Sequence, residues 1–555
     1  MPSATMPPEV EINVTKTERV FPQSTAQHEQ AIPLSLLDAT TANFALTNAI
    51  WLFEPLKSKD VSEVAEHLRQ TLGTALNSYL QWAGQLKSIN VVDDASVPGE
   101  VKDFPAHARR FGRVYTQFGA SADVGVDFTS ATSSATTNSL YPTERVKTEP
   151  LWDRKDDALG KFVPATDIAH ALQPNEPDAE TGLRKPVMAV QCTTLSDGGF
   201  VLAVKTAHPL ADIAGLIRFV KDWASVSTAV VKGMDAPILT PVFEPARLDN
   251  FAAGDINADE PDPAIIRRTD RLPLHRYDWW AAPGKPPAPF LEADKLVSPA
   301  GKPMPWAEWD LKAPVSDYTV HLNTKQVDFL WKEATKGTEV RKSEVDGERI
   351  SKHDAVLAHV WSCIMRARQL GKDEGPVHCD LVLGVRSAFK LGTDFMGSPI
   401  IMMKIEMPGS EVCYEQPGNA TGAIEAVARK VRNTISEVNS PASIADHLHS
   451  AAYEKSPQRI WQAFLGRRHI LVTTWARAGI YDVDFGLGSH IRYADGVVPN
   501  LDGNILIKEA PPSSGEFLSG SRPSWTDSGV DVSVHICTED MERLLKDPLL
   551  LPRVT

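Results

Sequence analysis

The segment His208-Pro209-Leu210-Ala211-Asp212 places an imidazole four residues before a carboxylate. A neutral imidazole with a pKa of about 6.5 can take a proton from a nucleophile and return it to a leaving group, so His208 is a candidate general base. Apolar residues recur at helical spacing directly after the segment, which puts Asp212 at a helix N-terminus, where backbone N–H groups stabilise its charge. Two residues at this spacing occur often by chance, and the pattern alone favours a structural histidine.

A second candidate region, residues 471–488, reads LVTTWARAGIYDVDFGLG and combines a strand-like start with an acidic, glycine-rich turn. It does not form a phosphate-binding loop, because Ile491 stands where the third glycine of GxGxxG would be and no Walker lysine is present. The sequence contains no GxSxG segment either, which argues against a serine hydrolase of the common kind.

The elements around His208 can be predicted from hydrophobic periodicity. Two β-rich runs, PVMAVQCTTL and GGFVLAVKTAH, flank a Ser-Asp-Gly-Gly turn at 196–199 and predict a hairpin. His208 ends the second run, and a helix is predicted just past Pro209. The base would therefore lie at a strand-to-helix junction. Upstream, the run NAIWLFEP predicts the first strand of the chain.

Both halves of the 555-residue chain mix strand and helix patterns, and this length exceeds what one hydrophobic core usually supports. Residues 236–318 are rich in Pro, Asp and Trp and show no sustained periodicity, which predicts a long crossover segment. We therefore expect a mixed α/β protein with an N-terminal domain over 1–235 that carries HxxxD and a C-terminal domain over 319–555 that carries DFGLG.

Composition argues against several classes of partner. A net charge of −14 and a pI near 5.6 would repel nucleic acid and anionic lipid. No apolar run approaches the roughly 20 residues of a membrane-spanning helix, and the N-terminus lacks the apolar core of a secretory signal. The five cysteines are scattered, without a CxxC pair. We expect a reduced, cytoplasmic protein that binds neither nucleic acid nor membrane.

Seven ordered blocks of sequence resemble the BAHD acyltransferases, the coenzyme A-dependent plant and fungal family that itself resembles chloramphenicol acetyltransferase. The resemblance spans nearly the whole chain. The blocks are LSLLD, WAGQ, the segment 186–212 ending in HPLAD, KHDAVLAHVW, VLGVRSAF with DFMGSP, TTWARAGIYDVDFGLG and SGVDVSVHICTEDMERL.

The resemblance implies two chloramphenicol acetyltransferase-like domains, each a mixed β-sheet with flanking helices, with a channel between them. It implies that His208 deprotonates the acceptor, which attacks an acyl-CoA thioester directly, without an acyl-enzyme. Asp212 would point away from the substrate and pair with Arg386, and so hold the loop that presents His208. Such support matters because misplacing a base by about 1 Å can cost about a hundredfold in rate.

The resemblance also assigns roles in the second half of the chain. Thr473 and Trp475 match positions that line the site and help to stabilise the tetrahedral oxyanion, which needs donors aimed at the developing charge. Asp484, Gly486 and Gly488 match a structural turn near the coenzyme channel.

Ser351 and Arg477 lie near family positions that can contact the coenzyme. Three positions depart from the family pattern: Leu487 replaces a tryptophan, Ile213 replaces a glycine, and Ser398 replaces an asparagine. Because the His, Asp, Arg and Thr-x-Trp positions all persist, these departures indicate divergence and not loss of activity.

The implied function is acylation of a hydroxyl or amine of a secondary metabolite by a fungal-type monomer, with acetyl-CoA as the expected donor and no permanently bound cofactor. Two alternatives stay open. One is a coenzyme A-independent condensation or cyclisation that uses the same histidine, and the other is a small-molecule binder without catalysis. The binder would be expected to have lost His208 or Asp212, and both are present.

Other histidines and one basic cluster have structural interpretations. His447 and His449 are two residues apart and would face different sides of a helix, so no metal site is predicted. His353 and His359 lie in an apolar helical pattern, and we expect both to be buried. The cluster 467–469 could contact coenzyme phosphates, but a solvated turn is the favoured interpretation.

Overall fold

The computed structural model describes residues 10–24, 28–56, 61–119, 123–154, 158–281, 291, 293–336, 349–413, 420–512 and 524–554. Its strands are β1 (Ile12–Val20), β2 (Gln30–Pro33), β3 (Thr47–Phe53), β4 (Gln85–Ser88), β5 (Val114–Phe118), β6 (Val126–Ser133), β7 (Leu151–Asp153), β8 (Met188–Leu195), β9 (Phe200–Thr206), β10 (Tyr277–Asp278), β11 (Lys302–Pro303), β12 (Val315–Leu322), β13 (Pro376–Gly384), β14 (Ile400–Pro408), β15 (Ile460–Trp461), β16 (His469–Thr474), β17 (Ile491–Gly496), β18 (Asn504–Glu509) and β19 (Val530–Cys537).

The helices are α1 (Leu36–Thr40), α2 (Val64–Ala75), α3 (Ala106–Arg109), α4 (Thr137–Leu140), α5 (Arg145–Thr148), α6 (Ile213–Val231), α7 (Ala246–Asp249), α8 (Pro263–Thr269), α9 (Thr324–Thr335), α10 (Lys352–Ala367), α11 (Gly409–Val412), α12 (Ala420–Val438), α13 (Pro441–Ala452) and α14 (Thr538–Leu545). The predicted mixed α/β class is confirmed. None of the helices in the described ranges combines the length and the apolar character that crossing a bilayer requires.

Two large sheets dominate the fold. Among the described residues, one sheet has six strands in the order β1-β6-β8-β9-β3-β17, and the other has seven in the order β14-β13-β16-β18-β19-β12-β7. Two small sheets have the orders β2-β5-β4 and β11-β10-β15. The predicted hairpin is β8–β9, in which Met188 pairs with Thr206 and Thr194 pairs with Phe200. Both strands are buried in the middle of the six-stranded sheet.

The run NAIWLFEP does form a strand, β3, but the prediction that it is the first strand of the chain is wrong. The strands β1 and β2 precede it. The strand β1 lies at the edge of its sheet, paired to β6, and most of its side chains are exposed. Ile12 and Val14 alternate with polar residues at its start, but residues 15–19 are all polar, so the apolar pattern of this edge strand is short.

Two strands cross between the halves of the chain. The strand β17 follows the DFGLG turn, yet it pairs with β3 in the six-stranded sheet. The strand β7 precedes β8, yet it pairs with β12 in the seven-stranded sheet. The core of the first sheet also includes Trp475, Phe485 and Leu506 from the second half. The predicted ranges 1–235, 236–318 and 319–555 therefore do not coincide with the two large sheets.

The predicted crossover segment contains only short elements in its described part. The helices α7 and α8 and the strands β10 and β11 each span seven residues or fewer. Its proline-rich stretch, 282–290, lies outside the described residues. The strand β10 pairs antiparallel with β15, with Tyr277 opposite Trp461, so the segment is attached to the second half of the chain.

A buried network of charges stands where β17 meets the seven-stranded sheet. Asp495, at the end of β17, binds Lys508 of β18 at 2.9 Å and Arg154 at 2.6 Å. Lys508 also donates to the Tyr493 hydroxyl and to the Ala494 carbonyl, both at 2.8 Å. Burial alone would raise the pKa of Asp495, but the charges of Lys508 and Arg154 outweigh it and hold that pKa below its usual range. The network therefore joins the two sheets through fully desolvated ion pairs.

We predict that Asp495→Asn lowers the free energy of unfolding by about 3 to 5 kcal/mol, because it leaves two buried cations without their shared counterion. The measurement is the shift in the urea midpoint. Asp167→Asn is the control, since Asp167 pairs with Lys185 at 3.2 Å on the surface and exposed pairs contribute about 1 kcal/mol or less. Equal shifts in the two variants would contradict the prediction.

Candidate active site

A cavity of about 430 Å³ is lined by residues of both large sheets. Thr47 of β3 contributes from the six-stranded sheet, and Thr473 of β16 contributes from the seven-stranded sheet. Five of the residues that the sequence singles out line this one cavity: His208, Asp212, Arg386, Thr473 and Trp475. They come from three separate sequence segments, so the tertiary fold brings them together.

His208 begins a single 3₁₀ turn, His208–Leu210, between β9 and α6. Its Nδ1 lies 2.8 Å from the hydroxyl oxygen of Ser398, and Phe44 packs edge-on against the ring with 5.6 Å between centroids. Among the described residues, Nε2 has no hydrogen-bond partner. Burial lowers the pKa of His208 below 6.5, although the charge of Asp212 opposes that shift. Burial therefore favours the neutral form of the ring.

Asp212 is the N-cap of α6 and has two partners through its carboxylate. Its Oδ1 accepts the Gly215 backbone N–H at 2.9 Å, as an N-cap does. Arg386 donates to both carboxylate oxygens, at 2.5 and 2.9 Å. The pair is nearly buried, with side-chain exposures of 14% and 8%, so solvent screens it little. Asp212 and Arg386 thus form an ion pair, and the structure shows that its geometry is bidentate.

The loop 394–398 joins this pair to a second buried carboxylate, Asp38. The Gly397 carbonyl accepts the Asp212 N–H and an Arg386 N–H, both at 3.1 Å. The Ser398 N–H donates to Asp38 Oδ1 at 2.5 Å. Gly397 has a φ of +107°, and a Cβ there would lie 2.8 Å from Asp38 Oδ1, so only glycine fits.

Asp38 was not predicted as a site residue. Burial raises its pKa to about 7, although hydrogen bonds from Ser35 and Ser398 oppose the shift. Its Oδ2 accepts the Ser35 hydroxyl at 2.7 Å, in the capping box of α1. Both Ser35 and Asp38 belong to the LSLLD block, so the sequence did mark this segment as one that resembles the family. Its contact with Ser398, 360 residues away, could not be derived from the sequence.

Thr473 lies near the end of β16, and Trp475 directly follows that strand. Both residues belong to the second half of the chain, whereas His208 belongs to the first half. In the described part of the chain the Thr473 hydroxyl makes no hydrogen bond, which leaves it available as a donor. Trp475 is 5% exposed, and its ring packs against Gly496 of β17 so closely that a Cβ there would lie 2.3 Å from the indole. The strand that crosses between the sheets therefore helps to position the tryptophan.

The DFGLG turn does not line this cavity. The carbonyls of Asp484 and Phe485 accept the hydroxyls of Thr228 and Ser227 at 2.9 and 2.7 Å, near the C-terminal end of α6. Asp484 Oδ1 accepts the Gly486 N–H at 2.8 Å. Gly486 and Gly488 have positive φ angles of 70° and 76°, which Gly adopts without strain. The turn thus fixes the C-terminal end of α6, the helix whose N-cap is Asp212.

Ser351 and Arg477 come together in a second cavity, of about 480 Å³, which Lys352, Trp331 and Trp525 also line. Ser351 is the N-cap of α10, and its hydroxyl also accepts from Arg432 at 3.1 Å. Arg477 is exposed and has a φ of +66°, which is unusual for a residue with a side chain. It lies two residues after Trp475, so one chain segment lines both cavities.

The remaining histidine predictions have mixed outcomes. His447 and His449 are buried packing residues, with exposures of 8% and 1%. His359 is buried as expected, whereas His353 is only half-buried. The solvated-turn interpretation of 467–469 is wrong for His469, which is 1% exposed because it begins the interior strand β16.

Comparisons with known proteins identify the family. The family model described as "Transferase family" matches residues 10–94 and 121–550. The acyltransferase AFT15-1 of Alternaria alternata is 23% identical over 558 residues, which cover 98% of this chain and 97% of that protein. The acyltransferase abl6 of Leptosphaeria maculans is 22% identical and covers 98% of both chains.

Solved structures share the fold at low sequence identity. TRI101 of F. sporotrichioides, complexed with coenzyme A and T-2, has a TM-score of 0.60 at 14% identity and covers 94% of this chain and 98% of its own. Vinorine synthase has a TM-score of 0.56 at 16% identity and covers 97% and 98%. Because the family model spans almost all of the sequence, this chain belongs to the Transferase family, the BAHD acyltransferases, and is an acyltransferase.

Proposed function

We propose that the protein transfers an acetyl group from acetyl-CoA to a hydroxyl or amine of a fungal secondary metabolite, with His208 as the general base. The observation that carries the proposal is the setting of the His208 ring, which lines the 430 Å³ cavity while Ser398 occupies its Nδ1. In the tautomer that donates from Nδ1, Ser398 Oγ accepts that proton and Nε2 keeps its lone pair. Nε2 is then the base.

In the proposed reaction, Nε2 takes the acceptor proton as the acceptor oxygen or nitrogen bonds to the thioester carbonyl carbon. The carbonyl oxygen becomes an oxyanion, for which the unpartnered Thr473 hydroxyl is the expected donor and Trp475 forms the wall. The C–S bond then breaks, and the departing coenzyme A sulfur takes the proton from the imidazolium. The pair of Asp212 and Arg386 touches no reacting atom in this scheme, and its role is to hold the loop that carries His208.

The second cavity is the proposed site for the polar end of the coenzyme. Arg477 supplies positive charge for phosphate groups, Lys352 lies beside it in an ion pair with Asp328, and Trp331 and Trp525 supply flat apolar surfaces. Ser351 is proposed to act by capping α10 and so positioning Lys352. TRI101, which shares the fold, is complexed with coenzyme A, and this supports the choice of donor.

The lining of the first cavity supports an acceptor with a largely apolar body. Ile400, Met402, Trp461, Phe464 and Leu465 all contribute to it. Such a surface suits a metabolite that presents one hydroxyl or amine to His208. The two fungal acyltransferases that match along the full chain support a fungal metabolite as the acceptor.

Replacing the base tests the mechanism directly. We expect His208→Ala to lower kcat/KM by about 100- to 10,000-fold, because general-base catalysis contributes on this scale. The assay follows release of free thiol from acetyl-CoA, and thermal unfolding checks that the variant is folded. His28→Ala, at an exposed histidine, is the control. Near-normal turnover by the folded His208→Ala enzyme would rule out the proposal.

The pH profile of the wild-type enzyme offers a second test. Burial lowers the pKa of His208, so the base stays deprotonated at neutral pH and acidification removes it only below pH 6.5. We expect kcat/KM to be flat around pH 7 and to fall on the acid side of 6.5. A loss of activity that is already half complete above pH 7 would contradict this assignment.

The ion pair can be tested without changing its charge. We expect Arg386→Lys to lower kcat by up to about a hundredfold with little change in the KM for acetyl-CoA, since lysine cannot make the bidentate contact that sets the loop. Arg268→Lys is the control, because Arg268 makes a bidentate pair with Asp446 at 2.7 Å outside the cavity. An effect on KM alone would assign Arg386 to coenzyme binding instead.

The coenzyme site can be tested at a position whose backbone favours glycine. We expect Arg477→Gly to raise the KM for acetyl-CoA about tenfold, as the loss of a charged hydrogen bond does, with kcat and stability preserved. Arg477→Lys, which keeps the charge, should bind acetyl-CoA more tightly than Arg477→Gly.

If turnover proves independent of any acyl-CoA in the wild type, the condensation alternative replaces the proposal.

A further inference from the structure

A cluster of histidines and carboxylates outside the active site surrounds Asp380, a fully buried residue of β13. One nitrogen of His275, one of His469 and one oxygen of Asp380 all lie within 4.8 Å of one another. All three residues are buried, with exposures of 7%, 1% and 0%. A fourth residue, His378, stacks on His469 with 4.3 Å between ring centroids.

The sheet register explains how the cluster assembles. His378 and Asp380 are two residues apart on β13 and therefore share a face of the sheet. The neighbouring parallel strand β16 places His469 opposite His378. The third ligand, His275, comes from the crossover segment, just before β10. Spacings of 105 and 89 residues separate the three ligands, so no local motif marks the site in the sequence.

The cluster is only partly satisfied by its own hydrogen bonds: Asp380 Oδ2 is hydrogen-bonded to His469 Nδ1 at 3.1 Å, but Asp380 Oδ1 is not bonded within the cluster. His275 Nε2 and Asp380 Oδ1 lie 3.1 Å apart, but the approach fails hydrogen-bond geometry, and neither atom has another partner in the described part of the chain. A buried polar atom without a partner is costly, and native proteins seldom leave one. A cation between these atoms would satisfy both.

We propose that His275, Asp380 and His469 bind a divalent metal ion of the zinc class. Two imidazoles and a carboxylate suit zinc and exclude the oxygen-preferring calcium and magnesium. Ligand atoms of a tetrahedral zinc ion lie about 3.3 Å apart. His275 Nε2 lies 3.1 Å from Asp380 Oδ1, and His469 Nδ1 lies 3.1 Å from the other carboxylate oxygen, Oδ2, and both separations are close to that value. Water would fill the fourth position, as at zinc sites with three protein ligands.

The metal would fix a wall of the His208 cavity. Asp380 Oδ2 accepts the backbone N–H of Phe464 at 2.9 Å, and Phe464 lines that cavity. Tyr277 lies two residues after His275 and pairs with Trp461, another residue of the cavity wall. A metal ion would therefore attach the crossover segment to the sheet directly behind the proposed acceptor pocket.

The test uses untagged, full-length protein that is stripped with a chelator, reloaded with Zn²⁺ and measured by inductively coupled plasma mass spectrometry. We expect about one zinc per chain, and less than about a tenth in Asp380→Asn and in His275→Gln. The matched control is His449→Gln, a buried histidine that binds the Ala253 carbonyl and the Asp262 N–H, and it should keep its zinc.

Loading with Co²⁺ gives a second readout, the visible absorption spectrum, which can be measured on the wild type alone. A four-coordinate site should produce strong visible absorption in the wild type, and the same bands should be lost in whichever of the two variants folds. Zinc content well below one per chain in the reloaded wild type, or retention of zinc by folded Asp380→Asn or His275→Gln, would overturn the proposal. Neither result bears on acyl transfer by His208, which is measured separately.

Discussion

The bidentate pair between Asp212 and Arg386 connects residues 174 positions apart at the point where the loop that carries His208 leaves the first sheet. Two charges taken out of water are costly unless every donor and acceptor is used. Here the Gly215 N–H and the carbonyls of Phe395 and Gly397 complete the contacts of the pair. Because the pair is satisfied only in this geometry, it fixes the loop that carries His208 to the second half of the molecule.

The loop 394–398 makes the histidine depend on a third segment. Ser398 contacts the His208 ring through its side chain and Asp38 through its backbone, and Gly397 allows Asp38 to approach. Asp38 in turn forms the capping box of α1 with Ser35, the N-cap residue. The imidazole is therefore oriented by residues from three separate parts of the chain. Serine at position 398, where the family has asparagine, still offers one oxygen to Nδ1.

The strands β17 and β7 each pair with the sheet of the other half of the chain, and residues of both sheets line the cavity. Gly496 of β17 packs closely against the indole of Trp475, which lines the cavity, and the ion pair of Asp495 and Lys508 holds that strand. On the other side, the Asp380 cluster holds the chain around Phe464. Both supports use buried polar groups, which tolerate few alternative arrangements.

The sequence by itself determined the mixed α/β class, the β8–β9 hairpin, the helix after Pro209 and, through seven ordered blocks, the family and five residues that line one cavity. These follow from local periodicity and from motifs that are contiguous in the chain. Only the tertiary structure decided the contacts of Ser398 with His208 and with Asp38, the strand exchange and the cluster around Asp380. Each of these joins residues far apart in sequence, where hydrophobic pattern carries no information about which side chains will meet.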